Sequence, residues 1–156
     1  FNIELKKHLN LRTAYKYYDI ESDYLSGTFQ RPLQAKHRVF ANIEYETHIL
    51  DKGQQWKFDF TTNWLGKQQL PNTITNPVED RLPNFSQSFA VMNFQVTRTF
   101  SSVFEMYLGG ENIGNYTQSK AILGSENPFG TTFDASIAYA PVFGSMYYAG
   151  LRFKIK

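Results

Sequence analysis

The chain has 156 residues, and its 16 Lys and Arg against 14 Asp and Glu give a net charge of +2. This charge is too small and too scattered to indicate nucleic-acid binding, because Lys6 and Lys7 form the only adjacent basic pair. The absence of cysteine excludes disulfides, zinc–thiolate sites and cysteine nucleophiles. No apolar run approaches the roughly 18–20 residues of a transmembrane helix, which excludes helical spans and leaves strand spans open.

Segments of alternating apolar and polar residues follow one another along the chain and predict about seven strands. Aromatic residues make up 17% of the chain although its mean hydropathy is −0.43, a combination typical of strands with one apolar and one polar face. The stretch 21–32 is polar and contains Gly27 and Pro32, so it is predicted to be a loop. The predicted strands are 1–5, 9–20, 35–47, 56–65, 89–100, 104–110 and 145–156.

The fourth predicted strand, WKFDFTTNW, shows the alternation most clearly. Trp56, Phe58, Phe60 and Trp64 occupy one side, and the residues between them are polar. A soluble sheet with its aromatic face on a core gives this pattern, and so does a membrane β-barrel with its aromatic face in lipid.

The connections between strands favour the membrane barrel, because short and long connections alternate along the chain. Successive hairpins therefore place all tight turns at one end of the sheet and all long loops at the other, as in outer-membrane barrels. Trp56 and Trp64 are eight residues apart. This separation spans roughly 20 Å along a membrane normal, so both are predicted to be membrane-interface aromatics, together with Phe153. The sequence predicts an all-β fold, an antiparallel transmembrane β-barrel segment, with a soluble antiparallel sheet as the alternative.

Charged residues of both signs fall on the predicted polar face, where they would line water or pair with one another. Arg98 is the exception, since strict alternation places it with Met92, Phe94 and Val96 on the apolar face. Either Arg98 snorkels to the interface near the turn, or a bulge moves it to the other face. The other predicted polar-face charges are Arg12, Lys16, Arg38, Glu44, Glu46, Lys57, Asp59, Glu105, Arg152 and Lys154.

Three C-terminal segments, YLGGENIGNYTQ (107–118), NPFGTTFDAS (127–136) and GSMYYAGLRFKI (144–155), resemble the end of a TonB-dependent outer-membrane receptor of the Bacteroidetes type. In that family a G-x-E-N-[IL]-x-N-Y segment forms the penultimate strand and the start of its loop. A [YF]-x-G-[LI]-R-[FY] segment forms the closing strand. The resemblance covers about the last fifty residues closely, and the first hundred match only in pattern.

The resemblance implies a 22-stranded barrel filled by a plug, of which residues 1–156 would be the C-terminal part with the last seven strands. We therefore expect the chain to be a piece of a longer receptor without the plug. The implied partners are outer-membrane lipids, the remaining strands and plug, a TonB-type energy-coupling protein and, as a further candidate, a surface lipoprotein. Phe153 is followed by Lys154, Ile155 and Lys156, which departs from the terminal aromatic residue of many such barrels.

Ligand contacts are expected from the loops 66–86 and 115–144 at the long-loop end. The charged stretch at Asp80 and Arg81 either binds a ligand or solvates its loop, and the aromatics of the second loop either contact a ligand or pack the loops together. The candidate substrate-binding residues are Asp80, Arg81, Asn127, Phe129, Phe133 and Tyr139.

The residues provide no nucleophile–base pair, and we predict no enzyme activity and no cofactor. His8, His37 and His48 lack metal-ligand spacing and are interpreted as surface or interfacial residues. The function implied by the resemblance is energised uptake, across the bacterial outer membrane, of a scarce large solute. The leading candidate solutes are iron–siderophore, haem, cobalamin or other metal chelates, and the second candidates are glycans or peptides. The alternatives are a non-importing outer-membrane barrel, such as an adhesin or porin, and a soluble all-β binding module.

Overall fold

A computed structural model describes residues 1–25 and 27–155, and these residues form an all-β protein. Seven strands pair in an antiparallel sheet with the order β1-β2-β5-β6-β7-β8-β9, and two further strands form a separate hairpin. The strands are β1 (Asn2–Lys6), β2 (Leu9–Tyr17), β3 (Glu21–Tyr24), β4 (Gly27–Gln30), β5 (His37–Glu46), β6 (Gln55–Leu65), β7 (Phe89–Thr99), β8 (Phe104–Glu111) and β9 (Met146–Phe153).

The seven strands of the main sheet match the predicted strands, and their ends differ by a few residues. The last predicted strand was longer than β9, which ends at Phe153, and Lys156 lies outside the described residues. The main sheet is open, because within the described residues neither β1 nor β9 has a partner on its outer edge.

The prediction of a loop over 21–32 is wrong, because β3 and β4 pair there as a small antiparallel hairpin. Thr28 donates a side-chain hydrogen bond of 2.7 Å to Asp23, and the rings of Tyr24 and Phe29 lie 6.2 Å apart. These cross-strand contacts stabilise a polar segment that lacks an alternating apolar face, which is the signal that strand prediction depends on.

The register of the sheet separates an apolar face from a polar face. Phe60 pairs with Ile43 and Phe94, whereas its neighbour Thr61 pairs with Asn42 and Asn93. No helix or second sheet among the described residues covers the apolar face, and its central side chains are exposed. The exposed apolar-face residues include Ile43, Tyr45, Trp56, Phe58, Phe60, Trp64, Met106, Leu108, Leu151 and Phe153.

The buried apolar side chains lie at the long-loop end and not behind the sheet. Within the described residues they are Ala35, Leu70, Phe89, Leu123 and Ile137. Four of the five belong to connections, and Phe89 is the first residue of β7. The hydrophobic effect that normally holds a sheet on its core therefore acts here on the loops.

Short turns close one end of the sheet. They join β1 to β2, β5 to β6, through a 3₁₀ turn at Asp51–Gly53, and β7 to β8. The long connections 18–36, 66–88 and 112–145 all leave the opposite end. The predicted separation of short and long connections is confirmed.

Two glycines of the last hairpin allow two tyrosines to lie flat on the polar face. Gly109 pairs with Tyr148 and Gly150 pairs with Tyr107, and in each pair a Cβ on the glycine would collide with the tyrosine ring. The two tyrosine rings meet edge to face at 6.2 Å. A tyrosine ring thus packs closely against each glycine, and aromatic cover of a strand glycine stabilises a pair that glycine alone would weaken.

Candidate functional site

The three long connections join into one layer above the sheet. The first and second are linked by a bridge between Ala35 and Gln68 and by a 2.8 Å hydrogen bond from the Leu33 amide to the Gln69 carbonyl. Gln68, only 2% exposed, donates its side-chain amide to the carbonyl of Tyr139, at 3.2 Å, in the third connection. A buried amide left without partners is costly, so this contact favours one arrangement of the loops.

A second buried glutamine, Gln118, organises the third connection. Its Nε2 donates to the carbonyls of Lys120 and Ile137, and its Oε1 accepts the backbone N–H groups of Tyr139 and Ala140. The side chain therefore replaces strand pairing for a segment without regular structure. Neither Gln68 nor Gln118 was predicted as a site residue, since a single glutamine in a polar loop carries no pattern.

The ENIGNY segment joins the exit of β8 to the entry of β9. Asn112 adopts a left-handed conformation with φ of 48°, and its Nδ2 donates to the carbonyls of Tyr116 and Phe143 at 2.8 and 3.1 Å. Asn115 is also left-handed, and its Oδ1 accepts the Ser145 amide at 3.0 Å. Asparagine tolerates this conformation better than most residues, so the structure gives the asparagines of this segment a structural role.

A cavity of about 540 Å³ lies between the second and third connections. It is lined in part by Arg81 and Tyr139, two of the predicted ligand residues, and by Tyr116 and Lys120. Arg81 donates through Nε to the Asn76 carbonyl at 2.9 Å, and the Lys120 ammonium donates to the Glu79 carbonyl. Burial raises the pKa of the Tyr139 phenol, and the neighbouring Tyr116 adds to the shift. With Phe85, which also lines it, the cavity offers two cations and three aromatic rings.

The other predicted ligand residues do not line this cavity. Asp80 accepts the Gly124 amide at 3.1 Å and so joins the second connection to the third. Asn127 lies in a turn in which its own amide bonds to Gly124 and its carbonyl accepts the Gly130 amide. Phe133 is partly exposed and Phe129 is 99% exposed, so the structure places Phe129 in solvent.

A hydrogen-bonded network crosses the polar face of the sheet at Asn42, which is 3% exposed. Arg12 donates to Asn42 at 3.0 Å, and Asn42 donates to Asp59 and Thr61, each at 2.9 Å. Three ion pairs lie on the same face: Arg12–Glu44, Lys57–Glu46 and Arg152–Glu105. Six of the ten charges predicted for the polar face thus pair across neighbouring strands.

The three predicted interface aromatics all lie on the apolar face, and they lie at both ends of the strands. Trp56 is near the short-turn end, and its ring is stacked on that of Phe58 at 6.2 Å. Phe153 is at the same end and stacks on Phe104 at 4.5 Å. Trp64 lies at the long-loop end, paired with Val39 and Ala90.

Within the part of the chain that the structure describes, no group of three or more His, Cys, Asp or Glu side chains is arranged to hold a metal ion. Two of the three histidines meet, with the His8 and His48 rings edge to face at 4.6 Å. His37, at the other end of the sheet, forms a 2.7 Å hydrogen bond with the Tyr15 hydroxyl.

Comparisons with protein-family models, with curated proteins and with solved structures found no match to this chain. In residues 1–25 and 27–155, no helix has the length and apolar character needed to cross a membrane.

Proposed function

We propose that this chain is the C-terminal part of the barrel of a TonB-dependent receptor, which takes up a scarce large solute across a bacterial outer membrane. The observation that carries the proposal is the apolar face, whose aromatic and aliphatic side chains are exposed across the width of the sheet. Soluble proteins rarely expose apolar patches larger than a few hundred Å². Lipid is the solvent in which such a face is stable.

The polar face supports the same proposal from the other side. Three ion pairs lie on it, and its buried residues Asn42 and Thr97 form side-chain hydrogen bonds with polar neighbours. A wet lumen, or a polar plug, is the environment such a face requires. Strands paired to β1 and β9 would close the barrel and satisfy the free edges, which hydrocarbon does not tolerate.

The long-loop end supports a receptor role, because the loops are held together and enclose the 540 Å³ cavity. Arg81, Lys120 and the two tyrosines would attract an anionic solute with flat or apolar parts. Metal chelates of the siderophore or haem type have this chemistry, so they are the favoured substrate class over neutral glycans. The energy for uptake would come from a TonB-type protein acting on the plug.

Membrane fractionation tests the barrel. Native membranes are separated, and this segment is detected by antibody on a gel with and without boiling. An outer-membrane band several times larger than 18.1 kDa that shifts on boiling supports the proposal. A soluble band near 18.1 kDa, unchanged by boiling, would mean that the apolar face packs on protein and that the chain is a soluble binding module.

Energised uptake is tested separately in cells carrying the full receptor. Accumulation of an iron–siderophore complex that depends on both the receptor and the coupling protein supports the import role. A barrel whose loss changes no uptake would instead be an adhesin or a porin. Arg81→Gln is expected to weaken uptake about tenfold, since a hydrogen bond to a charged group contributes roughly 1.5–3 kcal/mol. Lys7→Gln, at an exposed cation in the short turn between β1 and β2 and outside the 540 Å³ cavity, is its control.

A further inference from the structure

A second cavity, of about 670 Å³, opens at the long-loop end on the apolar side of the sheet. Trp64, His37 and Phe85 supply its aromatic lining. Trp64 and His37 belong to the apolar face, since Trp64 pairs with Val39, two residues from His37. This cavity therefore faces away from the polar side, where a solute crossing the barrel would pass.

Three basic side chains line the same cavity: Arg31, Lys36 and Lys67. Lys36 is paired with Asp19 at 2.9 Å. Among residues 1–25 and 27–155, neither the Arg31 nor the Lys67 side chain forms an ion pair or a hydrogen bond. Gln34 and Gln69 add amide groups to the lining. The cavity thus combines two uncompensated positive charges with polar donors and an aromatic wall.

The depth of this cavity relative to the sheet indicates what it would meet. Trp64 is one of the last residues of β6, and Tyr15, Tyr17 and His37 form an aromatic group beside it. Tryptophan and tyrosine concentrate where hydrocarbon ends and headgroups begin. If the proposed function holds, the cavity lies at the level of the outer-leaflet headgroups.

We propose that this cavity binds the phosphate of an outer-leaflet glycolipid headgroup, with Arg31 and Lys67 as its main contacts. The inference rests on the proposed function, because it requires the apolar face to lie in the membrane. Arg and Lys donate several hydrogen bonds to phosphate oxygens, and Gln34 and Gln69 complete the polar lining. Trp64 and Phe85 would pack on the sugar or on the first acyl carbons.

The test uses the full receptor, purified in mild detergent and titrated with lipid A, the bisphosphorylated glycolipid, while native mass spectrometry counts bound lipid. The Arg31→Gln/Lys67→Gln variant is expected to bind about 30-fold more weakly, since each cation contributes to an anionic headgroup contact. Lys6→Gln/Lys7→Gln, at the short-turn end, is the matched control and should bind as wild type. Lipid A without its phosphates should bind wild type as weakly as the variant binds lipid A.

Equal binding of lipid A by wild type and the Arg31→Gln/Lys67→Gln variant would overturn the inference. So would equal binding of the dephosphorylated lipid, or full displacement by millimolar inorganic phosphate. Each variant is first shown to shift on boiling as wild type does, and Lys67→Gln alone is used if the double variant does not assemble. A wild-type receptor that shifts on boiling but binds no lipid A overturns this inference alone. A wild type that does not shift overturns the proposed function as well.

Discussion

The guanidinium of Arg98 lies 5.0 Å above the indole ring of Trp56, its cross-strand neighbour on the apolar face. The same group is 5.7 Å from the ring of Phe100. The register runs without a bulge from Trp56 through Arg98 to Met106, so of the two predicted explanations the bulge is wrong. The charge is held on the apolar face by aromatic rings near the short-turn end, where, in the proposed membrane orientation, a snorkelling arginine would reach the interface.

The contact between Arg98 and Trp56 predicts a measurable coupling energy. In a double-mutant cycle with Arg98→Leu and Trp56→Leu, we expect a favourable coupling of about 0.5–2 kcal/mol in the free energy of unfolding. Urea unfolding of the protein in lipid vesicles measures this coupling energy. The control cycle combines Arg98→Leu with Trp64→Leu, at the other end of β6, and the effects of these two substitutions on the free energy of unfolding should add. Equal coupling in the two cycles would contradict the assignment.

Asn42 is predicted to be a main stabilising residue of the polar face. Asn42→Ala removes one hydrogen-bond partner from each of Arg12, Asp59 and Thr61 at a position that is almost fully buried, so the free energy of unfolding should fall by about 2–4 kcal/mol. Asn63→Ala on the neighbouring strand is the control. Asn63 lies on the same face and makes no side-chain hydrogen bond within the described residues. A loss of similar size at both positions would show that the network has no special role.

Asn112 is predicted to hold the last two strands together. Asn112→Asp replaces the Nδ2 donor with a carboxylate oxygen that faces the carbonyls of Tyr116 and Phe143. We expect a loss of about 2–4 kcal/mol in unfolding free energy and slower folding of the sheet. Asn84→Asp, at an exposed loop position, should change neither quantity. An Asn112→Asp variant with the same free energy of unfolding as wild type would contradict the structural role given to the ENIGNY segment.

The Asp19–Lys36 pair predicts a pH dependence at the long-loop end. The hydrogen bond from Lys36 lowers the pKa of Asp19 below 3.8, and the same bond raises the pKa of Lys36 above 10.5. The Asp19 contribution is therefore present above about pH 4 and is lost as the pH falls through the lowered pKa. The Lys36 contribution is present below about pH 10 and is lost as the pH rises through the raised pKa.

Unfolding of Asp19→Asn tests this dependence. The variant should differ slightly from wild type at pH 7, and the difference should shrink as the pH falls through the lowered pKa of Asp19, because wild type then loses the carboxylate charge as well. The Asp19→Asn/Lys36→Gln double variant is the control and should show the same pH dependence as the single variant. A difference that grows towards pH 3 would contradict the direction of the Asp19 shift.

The main sheet could be predicted because its strands alternate along their whole length. Phe58, Phe60 and their polar neighbours follow the two-residue period of a strand, and Gly53 marks one of the short turns. The hairpin β3–β4 could not be predicted in this way, because it is stabilised by local side-chain pairs such as Thr28–Asp23 and not by an apolar face.

The candidate site could be predicted less well. The sequence indicated the long-loop end, and the structure brings two of the six candidate residues, Arg81 and Tyr139, to one cavity there. Gln68 and Gln118, which position that cavity, could not be found because their roles depend on contacts with residues up to 71 positions away. Phe129 was chosen for its aromatic character, whereas packing leaves it exposed. Loop contacts of this kind follow from the assembled layer and not from any local pattern.

The central claim is that the apolar face lies in lipid, and adjacent positions of β6 test it most directly. The chain has no cysteine, so Phe60→Cys and Thr61→Cys each introduce one spin-label site into this segment, in a receptor cleared of cysteines elsewhere. In membranes, the label at residue 60 should be relaxed by oxygen and protected from a water-soluble nickel chelate. The label at residue 61 should not show this combination of relaxation by oxygen and protection from the nickel chelate. Equal accessibility at the two positions, or protection of residue 60 from both reagents, would contradict the claim.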